Sequence, residues 1–466
     1  MVYKSLDVDF GLSKKTIRVP KDACVAEFLE PVPLKNPENE LESALKNPHG
    51  SVSFESLLKP NMTVAIGFDD PTRPPAPWQL ILPNIIEKLI QNGVQKKDIL
   101  LICANGNHKK WTERELRQFL GEQVFNEFWS CGQLLNHDCS CAEELAYLGK
   151  TSGGCIVEHN KAFLQADLMV YVGQVMVNSW GGYTGTGAVV GLASTRSILS
   201  HHNHKVVNDP RTTRGDHKQM YFRKLKAEIN RKIESETKKR IFYINYVGGT
   251  GGEISGIFAG FSPEMDEPSW EAADKFSIVN VPQADIFVIG LTESYAYGSA
   301  NNPLIATIGM TYPTRVWLGA PLLKKGGVVI GLSSSNGEID ETIYPSYQEV
   351  LDLASKQKKL HNLTEYQDDI STSPDYLKQY KEGNAYHPIH PFWLLYASDY
   401  TLSRASKVII CGSQNKSQFL KIGIDPISEF DEALEIGKAQ TNDNPTIVVA
   451  PSYWSKRTFK FNVTTG

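Results

Sequence analysis

Short apolar runs alternate with amphipathic stretches along the chain. The run TVAIGF (63–68) has no polar interruption, which predicts a strand buried on both faces. After the loop DDPTRPPAP, residues Trp78, Leu82, Ile86, Leu89 and Ile90 recur at helical spacing, so a helix with one apolar stripe is expected from about Trp78. DILLICA (98–104) repeats the strand pattern and leads through NGNHKKW to a second helix. That helix opens at Thr112 with Glu115 three residues on, the spacing of a capping box. ADLMVYVGQVM (166–176) is a third strand, followed by NSWGGYTGTGA. A second series starts near residue 280, with QADIFVIGL, GGVVIGLSSS and KVIICG as strands. Such alternation predicts two α/β domains with largely parallel sheets and an active-site cleft between them. The Pro- and acid-rich segment SPEMDEPSWEAADKFS puts the junction near 275. Residues 1–275 would form an N-terminal cofactor-binding domain and 276–445 a C-terminal one, with 446–466 free to return to the first. A charged stretch over roughly 216–240 reads as an exposed helix.

Composition narrows the function. A chain of 466 residues exceeds one ordinary core, and 41% hydrophobic with 21% charged residues is typical of a soluble globular protein. The balance of 48 basic and 52 acidic residues argues against a nucleic-acid binder. No apolar run is long enough to cross a bilayer, and the N-terminus MVYKSLDVDFGLSKK lacks a secretory apolar core. Seven scattered cysteines suggest reduced thiols, hence a cytoplasmic protein. Cys131, His137, Cys139 and Cys141 cluster in sequence, but CSC is a poor chelate for a tetrahedral metal, so ordinary thiols are expected.

Four loops carry candidate chemistry. In open α/β sheets ligands bind beyond the carboxyl ends of the strands, where these loops would meet. In Asp69-Asp70-Pro71-Thr72-Arg73-Pro74, prolines stiffen the backbone and Arg73 offers a planar fork for a carboxylate or phosphate. The plainer alternative is that Asp70 and Arg73 pair and cap the next helix. His108, in Gly106-Asn107-His108-Lys109, is a candidate acid/base or an ordinary polar loop residue. The loop Gly181–Gly187 brings backbone N–H groups within reach of an anion, but it is neither a P-loop nor a GxGxxG fingerprint. In Ser200-His201-His202-Asn203-His204, three imidazoles are either metal ligands or solvated loop residues.

Taken in order, DDPTRPPAP, GNHKKWTERE, NHD at 136–138, LGKTSGG, GGYTGTG and NHKVVNDPR resemble the lactate racemase family that uses a nickel-pincer nucleotide. The likeness covers most of 60–335. It implies a pyridinium mononucleotide carrying nickel, held by one protein imidazole, His204 by position. It implies His108 as acid/base and Arg73 as the substrate-facing cation. Cofactor neighbours would be Asp70, Thr72, Gly182, Tyr183, Thr184, Gly185, Thr186, Gly187 and Ala188. The implied chemistry removes hydride from the carbinol carbon of a 2-hydroxy acid, passes through a 2-keto acid and returns hydride to the other face. Partners implied are the small hydroxy acid and cofactor-biosynthesis proteins.

Three departures stand out. Ala188 occupies the position of a lysine that tethers the cofactor in the family, so a non-covalently bound nucleotide is expected. Asn178 replaces the second catalytic histidine, and an amide is no base near neutrality. Substitutes are His201, His202, His387 and His390, with His390 favoured by the stiff His387-Pro-Ile-His390-Pro motif. SANNPLIATIGM puts apolar residues where a substrate-binding Gln and Lys stand in the family, near Asn301 and Asn302. Arg211 or Arg214 could replace the lost cation, and a hydroxy acid larger than lactate is expected. The alternatives are a nicotinamide-dependent oxidoreductase, disfavoured by the missing GxGxxG, and a non-catalytic nucleotide-binding homologue.

Overall fold

The computed structural model describes residues 2–73, 77–178, 180, 182–212 and 220–465. In it the apolar runs become the inner strands of two mostly parallel sheets. The first has the order 254–261, 241–248, 168–174, 64–69, 99–104, 134–136. All its neighbours run parallel except the outermost pair, Ile241–Gly248 with Ile254–Phe261. Val64–Asp69 lies in the middle and is buried throughout. Its residues alternate between two cores: Val64, Ile66 and Phe68 pack with the helix Trp78–Gln91, while Ala65 faces the opposite layer. The capping box at Thr112 forms as expected, with both reciprocal bonds to Glu115.

The second sheet is built around Ala284–Thr292. Leu323–Leu332, Lys407–Cys411 and Ile424–Ile427 extend it in parallel on one side. On the other side two segments remote in sequence fill the edge: Ile447–Ala450 and, further along, Tyr3–Gly11. This corrects the expected division. Tyr3–Gly11, Ser13–Pro20 and Cys24–Val25 belong to the second sheet, so 1–275 is not one unit, and Ile447–Ala450 does not return to the first. The reason is physical. A central strand with one open side exposes a row of amides, and Val8, Ile17 and Val19 close an apolar cluster there with Ile286, Val288 and Val449.

The charged stretch also departs from expectation. The helix Tyr221–Thr237 is not wholly exposed: Phe222, Leu225, Ile229 and Ile233 form a buried stripe at helical spacing, and Arg223 and Lys226 are buried with them. Among the described residues no helix is long and apolar enough to cross a membrane.

Candidate active site

The carboxyl ends of the first sheet open into a cleft of about 940 Å³, mouth included. Its walls come from the loops after Asp69, Ala104 and Gln174, from the Tyr221–Thr237 helix, and from the far side through Tyr297, His390 and Trp393. Both halves of the chain therefore contribute.

The loop after Val64–Asp69 is organised by its two carboxylates. Asp69 accepts from the Tyr171 hydroxyl at 2.6 Å and the Gln174 amide at 2.8 Å. Burial pushes its carboxyl up, against the opposing pull of Arg73. Asp70 accepts from the Thr72 hydroxyl at 2.6 Å and contacts His108 Nδ1 at 2.9 Å. Burial would raise Asp70 too, but His108, Arg73 and the Thr72 bond together hold it below the usual carboxylate range. Arg73 stays charged because Asp69 and Asp70 more than offset its burial, and its Nε has no partner among the described residues. It forms part of the wall shared with a neighbouring cavity of about 960 Å³, which Thr72 also lines. Asp70 and Arg73 thus do more than cap a helix.

His108 is set by a tight turn. Gly106 adopts φ +54°, its N–H donates to the Gly191 carbonyl at 2.8 Å, and the His108 N–H donates to the Asn105 carbonyl at 2.9 Å. An ionised carboxylate can only accept, so Asp70 fixes the proton on Nδ1 and leaves Nε2 as the acceptor of the neutral ring. The ring of His390 stands 5.4 Å from that of His108, edge to face. His390 opens the helix His390–Leu402, and its Nδ1 is hydrogen-bonded to the Tyr347 hydroxyl. Burial, reinforced by His108, drives its pKa well below the ordinary value, so the ring is neutral.

The glycine loop serves chiefly as packing. Gly181 lies outside the described residues, and Gly182 pairs with Asn178 across a two-residue ladder. Thr186 accepts from Arg223 at 2.6 Å, Thr184 receives the Met176 N–H at 2.9 Å, and the Tyr183 hydroxyl donates to Asp274. Of the loop, Tyr183, Thr184 and Gly187 reach the cleft, whereas Gly182, Gly185, Thr186 and Ala188 do not. A side chain at Gly187 would strike the Tyr171 hydroxyl, 2.2 Å from an ideal Cβ. Asn178 lines the cleft and accepts from the Trp180 N–H at 2.6 Å.

The histidine run divides unexpectedly. His204 does not line the cleft. It begins the short helix His204–Val207, capped by Asn203, and its Nε2 contacts Asp399 at 2.6 Å. His202 does line it, seated between Trp180 and Trp393, and its Nδ1 has no partner among the described residues. Burial drives its pKa well below the ordinary value. His201 bonds the Ser197 carbonyl, and His387 bonds Ser140 and Thr195; neither lines the cleft. Arg211 pairs with Asp209 at 2.7 Å at the surface, while Arg214 lies outside the described residues. Asn302 caps the helix Pro303–Thr311. Among the described residues no three His, Cys, Asp or Glu side chains gather as a metal site, and the cysteines are free thiols.

Sequence reasoning missed Lys226, Tyr297 and Trp393, which all line the cleft. Lys226 was obscured by its charged neighbours, although the stripe at 222, 225 and 229 placed it near the buried face. Burial pulls its amine down to about 7.

Residues 10–215 match the model of the lactate racemase N-terminal domain. The chain is 24% identical over 424 residues to lactate racemase of Thermoanaerobacterium thermosaccharolyticum, covering 89% of this chain and 88% of that one. It is 25% identical over 326 residues to lactate racemase of Lactiplantibacillus plantarum, covering 68% and 70%. The fold is similar to the lactate racemase apoprotein of T. thermosaccharolyticum, with a TM-score of 0.74 at 20% identity over 99% of this chain and 100% of that one. It is also similar to a Thermotoga maritima protein, with a TM-score of 0.59 at 16% identity, covering 94% and 100%.

Proposed function

We propose that the chain, whose residues 10–215 match the model of the lactate racemase N-terminal domain, is an isomerase of that kind, inverting the hydroxyl-bearing carbon of a 2-hydroxy acid other than lactate, with a nickel-pincer nucleotide bound in the cleft without a covalent tether. The observation that carries the reading is the pair His108 and His390, whose rings lie 5.4 Å apart on a wall shared with Arg73. One imidazole takes the hydroxyl proton of one enantiomer, and its neighbour serves the other hand, replacing the base lost at Asn178. Asp70 orients His108, and the Tyr347 hydroxyl orients His390. Arg73 receives the substrate carboxylate through its fork.

A buried imidazole nitrogen without a partner in the cleft suits a metal-bearing group. His202, with its unpartnered buried nitrogen, is assigned to the metal in place of His204, which is committed to Asp399 outside the cleft. When bound, the nucleotide supplies an electrophilic ring carbon that accepts and returns hydride. Trp180, Trp393 and Tyr297 keep water from the keto acid.

The test incubates nickel- and cofactor-loaded protein with 2-hydroxy acids deuterated at C2, read by chiral chromatography and mass spectrometry. Inversion with the deuterium retained is expected, with the bare-chain mass under denaturing conditions. Turnover of a diffusible nicotinamide without nickel would replace this reading by the oxidoreductase. Failure to invert any acid, with nucleotide bound, would leave a non-catalytic homologue.

A further inference from the structure

Lys226 is an ionisable amine where packing alone would place none. It is 7% exposed, lines the same cleft as His108 and His390, and its amine makes no hydrogen bond or ion pair with any described residue. Arg223, three residues earlier on the same helix and equally buried, has partners for both terminal nitrogens of its guanidinium. It donates to Thr186 and to the Tyr183 carbonyl and stacks on Trp270. Lys460, 1% exposed, pairs with Asp274 at 2.6 Å. Burying an ammonium without a counter-charge costs more than its methylenes return. The acidic groups in its field are engaged elsewhere: Asp69 with Tyr171 and Gln174, Asp266 with Ser262 at 2.8 Å. Arg73 and Arg223 add to the positive potential around it. A positive wall with uncommitted donors facing a cleft is suited to an anion.

We infer that Lys226 is an anion anchor of the cleft, binding a carboxylate or phosphate oxygen other than the carboxylate taken by Arg73. The assignment rests on the cleft being a site for a hydroxy acid and a mononucleotide. It requires a second anionic group, supplied either by a dicarboxylate substrate or by the nucleotide phosphate.

The full chain without cofactor is titrated calorimetrically with lactate, malate and nicotinic acid mononucleotide. Wild type is compared with K226M, K226R and, as an exposed control on the same helix, K224M. K226M should bind malate or the mononucleotide about 10- to 100-fold more weakly, the loss of one charge-assisted bond. K226R should recover most of the affinity, K224M should match wild type, and lactate should be indifferent to all three. A loss confined to malate assigns the substrate carboxylate, and one confined to the mononucleotide assigns the phosphate. K226M should also unfold at a higher temperature than wild type, because it removes an unpaired buried charge; a structural lysine would do the reverse. The inference is overturned if K226M binds malate and the mononucleotide within threefold of wild type, if wild type binds none of the three saturably, or if K226M lowers the melting temperature and K226R fails to restore binding. Turnover plays no part in this test, so an active isomerase with unchanged K226M binding would sink Lys226 alone.

Discussion

Replacing Asp70 by Asn isolates what the carboxylate does for His108. The two are in contact at 2.9 Å, and because the carboxylate is ionised the contact is a hydrogen bond to a charged group, with a net value of about 1.5–3 kcal/mol. Asn offers one acceptor and one donor where Asp70 offers two acceptors. Either His108 Nδ1–H or the Thr72 hydroxyl must then face an NH₂ group, since both now point at the carboxylate. The imidazole loses its fixed proton position, and Nε2 is no longer reserved as the acceptor. The expected loss in kcat is about 10- to 150-fold, the same free energy converted to rate, with KM little changed because Arg73 remains. The assay follows inversion of the wild-type substrate by chiral chromatography, with circular dichroism to confirm the fold. A D70N enzyme turning over within threefold of wild type would refute the orienting role.

Other substitutions probe neighbouring claims. H390F should lower turnover about 10²- to 10⁴-fold, the usual worth of a general acid or base; an unchanged rate would remove His390 from the chemistry. H202A should abolish stoichiometric nickel while H204A retains it, by elemental analysis of the loaded protein, and the reverse result would return the ligand role to His204. G187A places a Cβ 2.2 Å from the Tyr171 hydroxyl and should cost about 1–3 kcal/mol of stability in denaturant unfolding; a neutral change would show that the loop yields. Burial drives His137 and His201 down to about 4 and His159 and His387 to about 3. Below their unfolded value near 6.5 the unfolded chain binds more protons than the native one, so stability falls as pH drops from 6.5 towards 4. The limit is about 1.4 kcal/mol per pH unit for each imidazole. A denaturation midpoint that stays flat between pH 7 and 5 would contradict this.

Spacing within a segment was enough to read the inner strands, the Thr112 cap, and the loops carrying Asp70, Arg73 and His108. Each depends on a few consecutive residues whose burial and turn chemistry are local. His390 was legible for the same reason, because a proline directly after each of His387 and His390 marks a stiffened turn. The choice between His202 and His204 was not legible. Asn203 caps a new helix at His204 and swings that ring to Asp399, 195 positions away, while the His202 ring turns inward between Trp180 and Trp393. Lys226 was hidden similarly, since charge suggested solvent and only the packing of its helix against the cleft shows the amine inside.

The sequence by itself determined that this is an α/β protein with polar loops at the strand ends, two of which carry Asp70 and His108. Tertiary structure alone decided which histidines enter the cleft, where an unpaired lysine lies, and that the first strands complete the second sheet. Local pattern sets whether a segment is strand, helix or turn. Partner choice across hundreds of residues is set by which open sheet edge and which apolar face remain to be covered, and no window of the chain contains that information.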